Sequence, residues 1–210
     1  MLPFLPISPQ DRWLSACGTR PTLARWKNMR GKHKFSLLHG VATRADDDED
    51  GNYLTAYEQI DIDDIGGRRS VEHVIPRSTT GDNRKARNDP NGWIVATRRS
   101  NSSRGNTPLV LWDGEADGHF SPPMEERARL ARKWLFVRST YGGLDPPSEE
   151  QLRNLSAIFE MAKKQPGRAE VRVNEIYKRE LNWSNPLISN PVWLDDSEWR
   201  KMVERGKGPL

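Results

Sequence analysis

Two short segments decide the fold: VEHVIP at residues 71–76 and NSSRGN at residues 101–106. The first segment predicts a strand over 70–75 that ends at Pro76, because its apolar and β-branched residues alternate with polar ones. A second apolar run, GWIVAT at 92–97, predicts another strand, and the polar segment after it predicts a helix start. Strand, loop, strand and helix, in this order, predict a ββα hairpin unit within an α+β fold.

Side chains in these segments are the types that a one-metal phosphodiesterase needs. Glu72 is a hard, anionic oxygen ligand for a divalent cation, and Asn101 offers a neutral carbonyl oxygen. His73 suits the role of a base, because its reference pKa of about 6.5 leaves it mostly neutral at neutral pH. Neighbouring side chains of a strand point to opposite faces, so Glu72 and His73 can straddle one phosphate. Arg87 and Arg104 could hold phosphate oxygens.

Charge is distributed unevenly around these residues. Residues 1–45 carry eight Lys or Arg against one acid, residues 46–64 carry nine acids and no base, and residues 68–104 carry nine Lys or Arg against three acids. This basic excess on both sides of the predicted site suits a polyanionic substrate. A patchy solvated surface explains the charges equally well. Without a family, a Glu-His pair on a strand is more often structural than catalytic.

The two segments together resemble the endonuclease I family of ββα-metal (His-Me finger) nucleases. The family pattern is roughly Arg/Trp-Glu-His-Val-x-Pro, then Arg-x-Asp-Leu-His-x-Leu-x-Pro-Ala, then Val-Asn-x-x-Arg-x-Asn. The resemblance runs in order from about Lys34 to Trp199. Its other matching segments are Arg87-Asn88-Asp89, Val95-Ala96, Ala131–Phe136, Asp145–Glu149 and Asn185–Ile188.

The resemblance implies a role for each site residue. His73 would be the general base, Glu72 and Asn101 the metal ligands, and Arg87 or a loop neighbour the arginine that stabilises phosphate. The implied cofactor is Mg²⁺, with Mn²⁺ or another divalent cation as a substitute. The family usually has a histidine in the second strand, where this chain has Asn91-Gly92. We expect Asn91 to replace that histidine by hydrogen bonding.

The leading hypothesis is a largely sequence-nonspecific endonuclease that acts on DNA, with RNA as an alternative substrate. It would leave 5′-phosphate and 3′-hydroxyl ends, as the family does. A second hypothesis is a homing- or nicking-type endonuclease, in which the basic segment between Arg20 and Lys34 supplies target contacts. A third is a catalytically inactive, nucleic-acid-binding protein with the same fold.

The rest of the chain predicts a single nuclease domain over residues 21–210, with the ββα motif at about 70–108 and a helical C-terminal part. Residues 1–20 are expected to form an extended arm, because three prolines lie in the first nine residues. Further expectations are two short helices over 22–44, an acidic loop at 46–51, helices over 124–138, 149–162 and 171–181, and an extended apolar tail at 185–193 that packs on the core.

Other sequence features bear on location and assembly. Cys17 is the only cysteine, so no disulfide can form within one chain and an oxidising compartment is not indicated. The apolar N-terminus is broken by prolines and makes a poor signal peptide, and no apolar run is long enough to span a membrane. We therefore expect an intracellular protein, in a cell or in a phage- or virus-infected host, with no membrane partner; a monomer is favoured.

Overall fold

The computed structural model describes residues 8–19, 54–61, 64–65 and 68–204. These residues form a mostly helical α+β structure, in which a two-stranded antiparallel sheet is followed directly by a helix. No helix within them is long and apolar enough to cross a membrane. The helices expected over 22–44 and the acidic loop at 46–51 lie outside the described residues.

Residues 9–17, which were expected to belong to an extended arm, form helix α1 (Pro9–Cys17). Pro9 occupies the first helical position, where its missing N–H costs no hydrogen bond, and the hydroxyl of Ser8 accepts from the backbone N–H of Asp11 at 3.1 Å. Trp13 is fully buried, and its indole N–H donates to the Thr140 hydroxyl at 3.0 Å. The expectation of an extended arm is therefore wrong for these residues, which form a helix that places Trp13 and Cys17 in the core.

The predicted hairpin is confirmed, with strand β1 spanning Arg69–His73 and strand β2 spanning Trp93–Thr97. The strands pair antiparallel, with Glu72 opposite Ile94. The connection was expected to be a loop throughout, yet it contains a 3₁₀ turn at Arg77–Thr80 and the short helix α2 (Arg84–Asn88).

Asn83 explains that short helix, because its side-chain oxygen accepts from the backbone N–H groups of Lys85 and Ala86 at 3.2 and 3.0 Å. After β2, the hydroxyl of Thr97 caps helix α3 (Arg98–Arg104) in the same way. Capping by polar side chains thus starts α2 inside a segment that was expected to be a loop, and it starts α3 where the sequence predicted a helix start.

The C-terminal part is helical as expected, except that the single helix expected over 149–162 is interrupted at Asn154. Its central helix is α4 (Met124–Thr140), which is buried from Glu126 to its end. The sequence Ser-Glu-Glu-Gln at 148–151 has the pattern of a capping box, and the structure has one: the Ser148 hydroxyl accepts from the Gln151 N–H at 3.1 Å and the Gln151 side chain accepts from the Ser148 N–H at 3.3 Å. The remaining helices are α5 (Glu149–Arg153), α6 (Leu155–Lys163), α7 (Arg168–Leu181), α8 (Pro186–Ser189) and α9 (Ser197–Glu204).

The apolar tail packs on the core as predicted, but it is not extended. It forms α8 and a 3₁₀ turn at Pro191–Asp195, each started by an asparagine whose side chain accepts a backbone N–H. Leu187 and Leu194 are fully buried. The Asn-Pro pairs in this segment therefore start short helices, because proline is tolerated in a first turn.

Candidate active site

Helix α3 lies across strand β1 and contacts it through two polar side chains. The Asn101 amide nitrogen donates to the Ser70 hydroxyl at 2.8 Å and to the Val71 carbonyl at 3.1 Å. Arg104 is three residues further along the helix and therefore shares the same face. Its guanidinium Nη1 donates to the His73 carbonyl at 2.7 Å. The ββα unit is thus closed by side chains of both segments that the sequence singled out.

Glu72 and Arg104 form a buried ion pair inside this contact. Only 3% of Glu72 and 1% of Arg104 are exposed, and the guanidinium Nη1 donates to the carboxylate Oε1. The other donors of Arg104 go to the carbonyls of Val74 and Thr107, each at 3.0 Å. Burial lowers the pKa of Arg104, although a guanidinium stays charged at any ordinary pH. The donors of Arg104 are therefore used inside the protein, where they position Glu72.

Two oxygens of this site remain as possible metal ligands. Ser70 and Glu72 are two residues apart on β1 and point to the same face, which is the face that α3 covers. Arg104 engages Oε1 of Glu72, and Asn101 makes both of its hydrogen bonds through its nitrogen. Within the described residues, neither Oε2 of Glu72 nor Oδ1 of Asn101 accepts a hydrogen bond. These are a carboxylate oxygen and an amide oxygen, the hard donors that Mg²⁺ prefers.

His73 lies on the opposite face of β1 and faces the connection between the strands. Its Nε2 is 3.0 Å from the carbonyl oxygen of Arg87. A carbonyl can only accept, so Nε2 carries the hydrogen and Nδ1 carries the lone pair of the neutral ring. The Trp93 indole N–H donates to the same carbonyl at 3.2 Å, and the two rings meet edge to face at 6.0 Å. The orientation of the imidazole and the nitrogen that can act as a base follow from these contacts.

Arg87 is half-buried and anchored by its own loop. Its Nε donates to the Thr80 hydroxyl at 3.3 Å and its Nη2 donates to the Gly81 carbonyl at 2.7 Å. Its backbone carbonyl holds His73, so the residue lies next to the imidazole. Exposed basic side chains surround this part of the molecule: Arg68, Arg77, Arg84, Lys85, Arg98 and Arg99.

Asn91, which was expected to replace the family's second-strand histidine, lies just before strand β2. It is buried in the 3₁₀ turn Pro90–Gly92, where its amide nitrogen donates to the Asp89 carboxylate at 3.1 Å. Its carbonyl accepts from Lys133 at 3.2 Å. Among the described residues it makes no hydrogen bond to Glu72 or His73. Asn91 therefore holds the turn that leads into β2.

The buried carboxylate of Asp89 is the centre of that turn. The Tyr141 hydroxyl and the Trp183 indole N–H donate to it at 2.5 and 2.8 Å. Burial raises the pKa of Asp89 although these donors oppose the shift. Burial also lowers the pKa of Lys133 to about 8. The second strand is thus fixed to helix α4 through a polar network rather than through apolar packing alone.

Two further residues, Ser70 and Glu58, contribute to the site, although no sequence pattern pointed to them. Ser70 receives the Asn101 amide, and Glu58 accepts from the hydroxyls of Thr97 and Ser100 at the start of α3. Burial raises the pKa of Glu58, but these hydrogen bonds outweigh it and lower the pKa overall. No pattern in the sequence relates Glu58 to residues some forty positions away, so only the folded chain shows this contact.

The donor set fits a hydrated Mg²⁺ ion better than a metal that needs several protein ligands. Within the described part of the chain, no three His, Cys, Asp or Glu side chains are grouped so that they could hold a metal. Glu72 and Asn101 offer two oxygens, and Mg²⁺ usually keeps several waters and needs only one or two protein carboxylates. The chain matches no known family model and no curated protein.

Proposed function

We propose that the protein is a Mg²⁺-dependent endonuclease of the ββα-metal class that hydrolyses phosphodiester bonds of DNA, with RNA as an alternative substrate. One observation carries this proposal: helix α3 brings Asn101 onto the face of β1 that bears Glu72, while His73, the next residue, lies on the other face with a defined tautomer. An oxygen pair and an oriented base on either side of one strand are the elements that phosphodiester hydrolysis needs.

Each side chain has a separate task in the proposed reaction. Glu72 and Asn101 would hold the cation, which when bound neutralises charge on the phosphate and assists the leaving 3′ oxygen. His73 takes a proton from the attacking water at Nδ1, since its Nε2 hydrogen is held by the Arg87 carbonyl. Hydrolysis in this sense leaves 5′-phosphate and 3′-hydroxyl ends.

The two arginines would support this chemistry in different ways. Arg87 is close to the imidazole and half-exposed, and its guanidinium donates to the Gly81 carbonyl. A rotation of its side chain away from this carbonyl would let the guanidinium bind a phosphate oxygen of the substrate. Arg104 is buried with its donors used, so we assign it the positioning of Glu72 rather than a phosphate contact. The exposed basic residues around β1, α2 and α3 attract the polyanion without reading its sequence.

Nicking of supercoiled plasmid tests the proposal. The purified chain should nick plasmid with Mg²⁺ and stop when EDTA is added. His73→Ala should lose at least about a hundredfold in rate, the usual contribution of a general base. His119→Ala is the matched control, since His119 bonds to the Asp117 carbonyl and the Ser148 hydroxyl, away from β1. Equal cutting by His73→Ala and the wild type would remove His73 from the proposed mechanism.

A second candidate is supported by the buried Glu72–Arg104 pair, because a carboxylate engaged by an arginine is less available to a cation. In that case the fold would bind nucleic acid without cutting it. A wild-type protein that binds DNA but is inert with every divalent cation tried would establish this reading.

Cleavage of two unrelated plasmids separates the sequence-specific alternative, which gives discrete bands, from the nonspecific one, which gives a smear.

A further inference from the structure

Glu58 belongs to a segment outside the ββα unit, yet it contacts the first turn of helix α3. Its Oε1 accepts hydrogen bonds from the hydroxyls of Thr97 and Ser100. Burial raises the pKa of Glu58, but these donors outweigh burial, so the side chain is a carboxylate at neutral pH. Hydrogen bonds to an ionised acceptor are about twice as strong as those between neutral groups. Glu58 therefore binds the start of α3 firmly.

The segment that carries Glu58 is anchored to strand β2 and to helix α4. The Ala56 N–H donates to the Val95 carbonyl of β2 at 3.0 Å, and Ala56 is fully buried. The Leu54 carbonyl accepts from the Arg129 guanidinium of α4 at 3.3 Å. Because these contacts fix the segment, the carboxylate of Glu58 has a defined position relative to the sheet.

Helix capping alone does not explain the contact with Glu58. The Thr97 hydroxyl oxygen accepts from the Ser100 N–H at 3.2 Å, and this cap needs no carboxylate. Helix α3 is short, spanning Arg98–Arg104, and an isolated helix of this length is barely stable in water. Its position therefore depends on tertiary contacts. Glu58 adds a fixed location for the first turn, and its negative charge is favourable at the start of a helix.

Asn101 follows Ser100 directly and is the candidate metal ligand of α3. Its amide nitrogen donates to the Ser70 hydroxyl and to the Val71 carbonyl of β1, at 2.8 and 3.1 Å. These bonds determine which way the amide faces, whereas Glu58 holds the residue that precedes it. The direction of the Asn101 carbonyl oxygen therefore depends on contacts on both sides of α3.

We propose that Glu58 is a positioning residue of the candidate metal site, which acts through the first turn of α3 on the carbonyl oxygen of Asn101. The inference rests on the proposed function, because it concerns the cation that Glu72 and Asn101 would hold. In this role Glu58 touches neither the cation nor the substrate. Without it, Glu72 still offers its oxygen from β1, so the metal affinity falls but does not vanish. Residues that hold a metal ligand in place typically contribute about 10–100-fold to metal affinity.

Mn²⁺ binding to the full chain tests the proposal, with the free ion followed by its electron paramagnetic resonance signal. Glu58→Gln should bind Mn²⁺ at least about tenfold more weakly than the wild type. Ser100→Ala removes one of the two hydroxyl donors and introduces a good helix former, so this variant should fold and bind Mn²⁺ severalfold more weakly. Ser100→Thr keeps a hydroxyl and should restore the affinity. Glu198→Gln is the matched control: Glu198 also lies in the first turn of a helix, α9, but it pairs with Lys201 at 3.0 Å, and this variant should bind as the wild type does.

A second measurement requires no metal. The side-chain amide signal of Asn101 in the ¹⁵N NMR spectrum is assigned by its absence from Asn101→Asp. In Glu58→Gln this signal should shift, and its protons should exchange with water faster than in the wild type, because the hydrogen bonds to Ser70 and Val71 weaken. In Glu198→Gln the signal should match that of the wild type.

The outcomes distinguish this inference from the proposed function. A wild type that binds no Mn²⁺ contradicts the proposed metal site, and the role of Glu58 is overturned with it. If the wild type binds Mn²⁺ and Glu58→Gln binds it as tightly, only the positioning role is overturned. A weaker affinity with an unchanged Asn101 signal would overturn the route through α3, because Glu58 would then act on the cation directly.

Discussion

Arg104→Met would reveal how strongly the ββα unit depends on its buried ion pair. The substitution leaves the Glu72 carboxylate in the interior without its partner and removes a donor from each of three carbonyls. Breaking a buried pair from one side costs about 3–5 kcal/mol. For a chain of this size, each kcal/mol lowers the unfolding midpoint by about 2–4 °C, so a fall of roughly 6–20 °C is expected.

Urea denaturation followed by tryptophan fluorescence measures this change in the free energy of unfolding. Arg99→Met, at an exposed position of the same helix, is the control and should stay within about 0.5 kcal/mol of the wild type. The double variant Glu72→Gln/Arg104→Met should be more stable than Arg104→Met, because a neutral amide is less costly to bury than a lone carboxylate. A loss below about 1 kcal/mol for Arg104→Met, the value of an exposed ion pair, would refute the positioning role.

Three further changes probe the scaffold by urea denaturation. Burial lowers the pKa of Lys133 from 10.5 to about 8. Between these two pH values the unfolded chain binds more protons than the folded chain, so the free energy of unfolding should rise with pH there. The substitution Lys133→Met should flatten this rise. Tyr141→Phe removes a donor from the buried Asp89 carboxylate and should cost about 1.5–3 kcal/mol, and an unchanged midpoint would show that the contact is unimportant. Gly18→Ala should destabilise by more than about 1 kcal/mol, because Gly18 has a φ of +100° and an added Cβ would lie 2.4 Å from the Asn182 carbonyl oxygen; wild-type stability would contradict this.

Local sequence patterns predicted most of the regular elements. The two strands follow from short apolar runs that end at proline or polar residues, and α4 and α7 follow from helical periodicity. The Ser148 capping box was readable because all of its members lie within four residues. Errors arose at two prolines, where an extended segment was expected. At Pro9 and Pro186 the proline occupies a first helical turn and starts a helix.

For the candidate site, the sequence likewise identified residue types, whereas their contacts were known only from the structure. The sequence by itself determined which residue types stand at positions 72, 73 and 101, and strand alternation determined that Glu72 and His73 point to opposite faces. Only the tertiary structure decided their partners: Arg104 for Glu72, the Arg87 carbonyl for His73, and Ser70 for Asn101.

These pairings could not be read from the chain because they join residues 14 to 32 positions apart and depend on how α3 lies on β1. The same reason applies to Asn91, whose side chain turns to Asp89. Local patterns report what a residue can do by its chemistry. Contacts between residues that are distant in the chain determine which of its donors and acceptors are engaged. These contacts decided the role of each arginine.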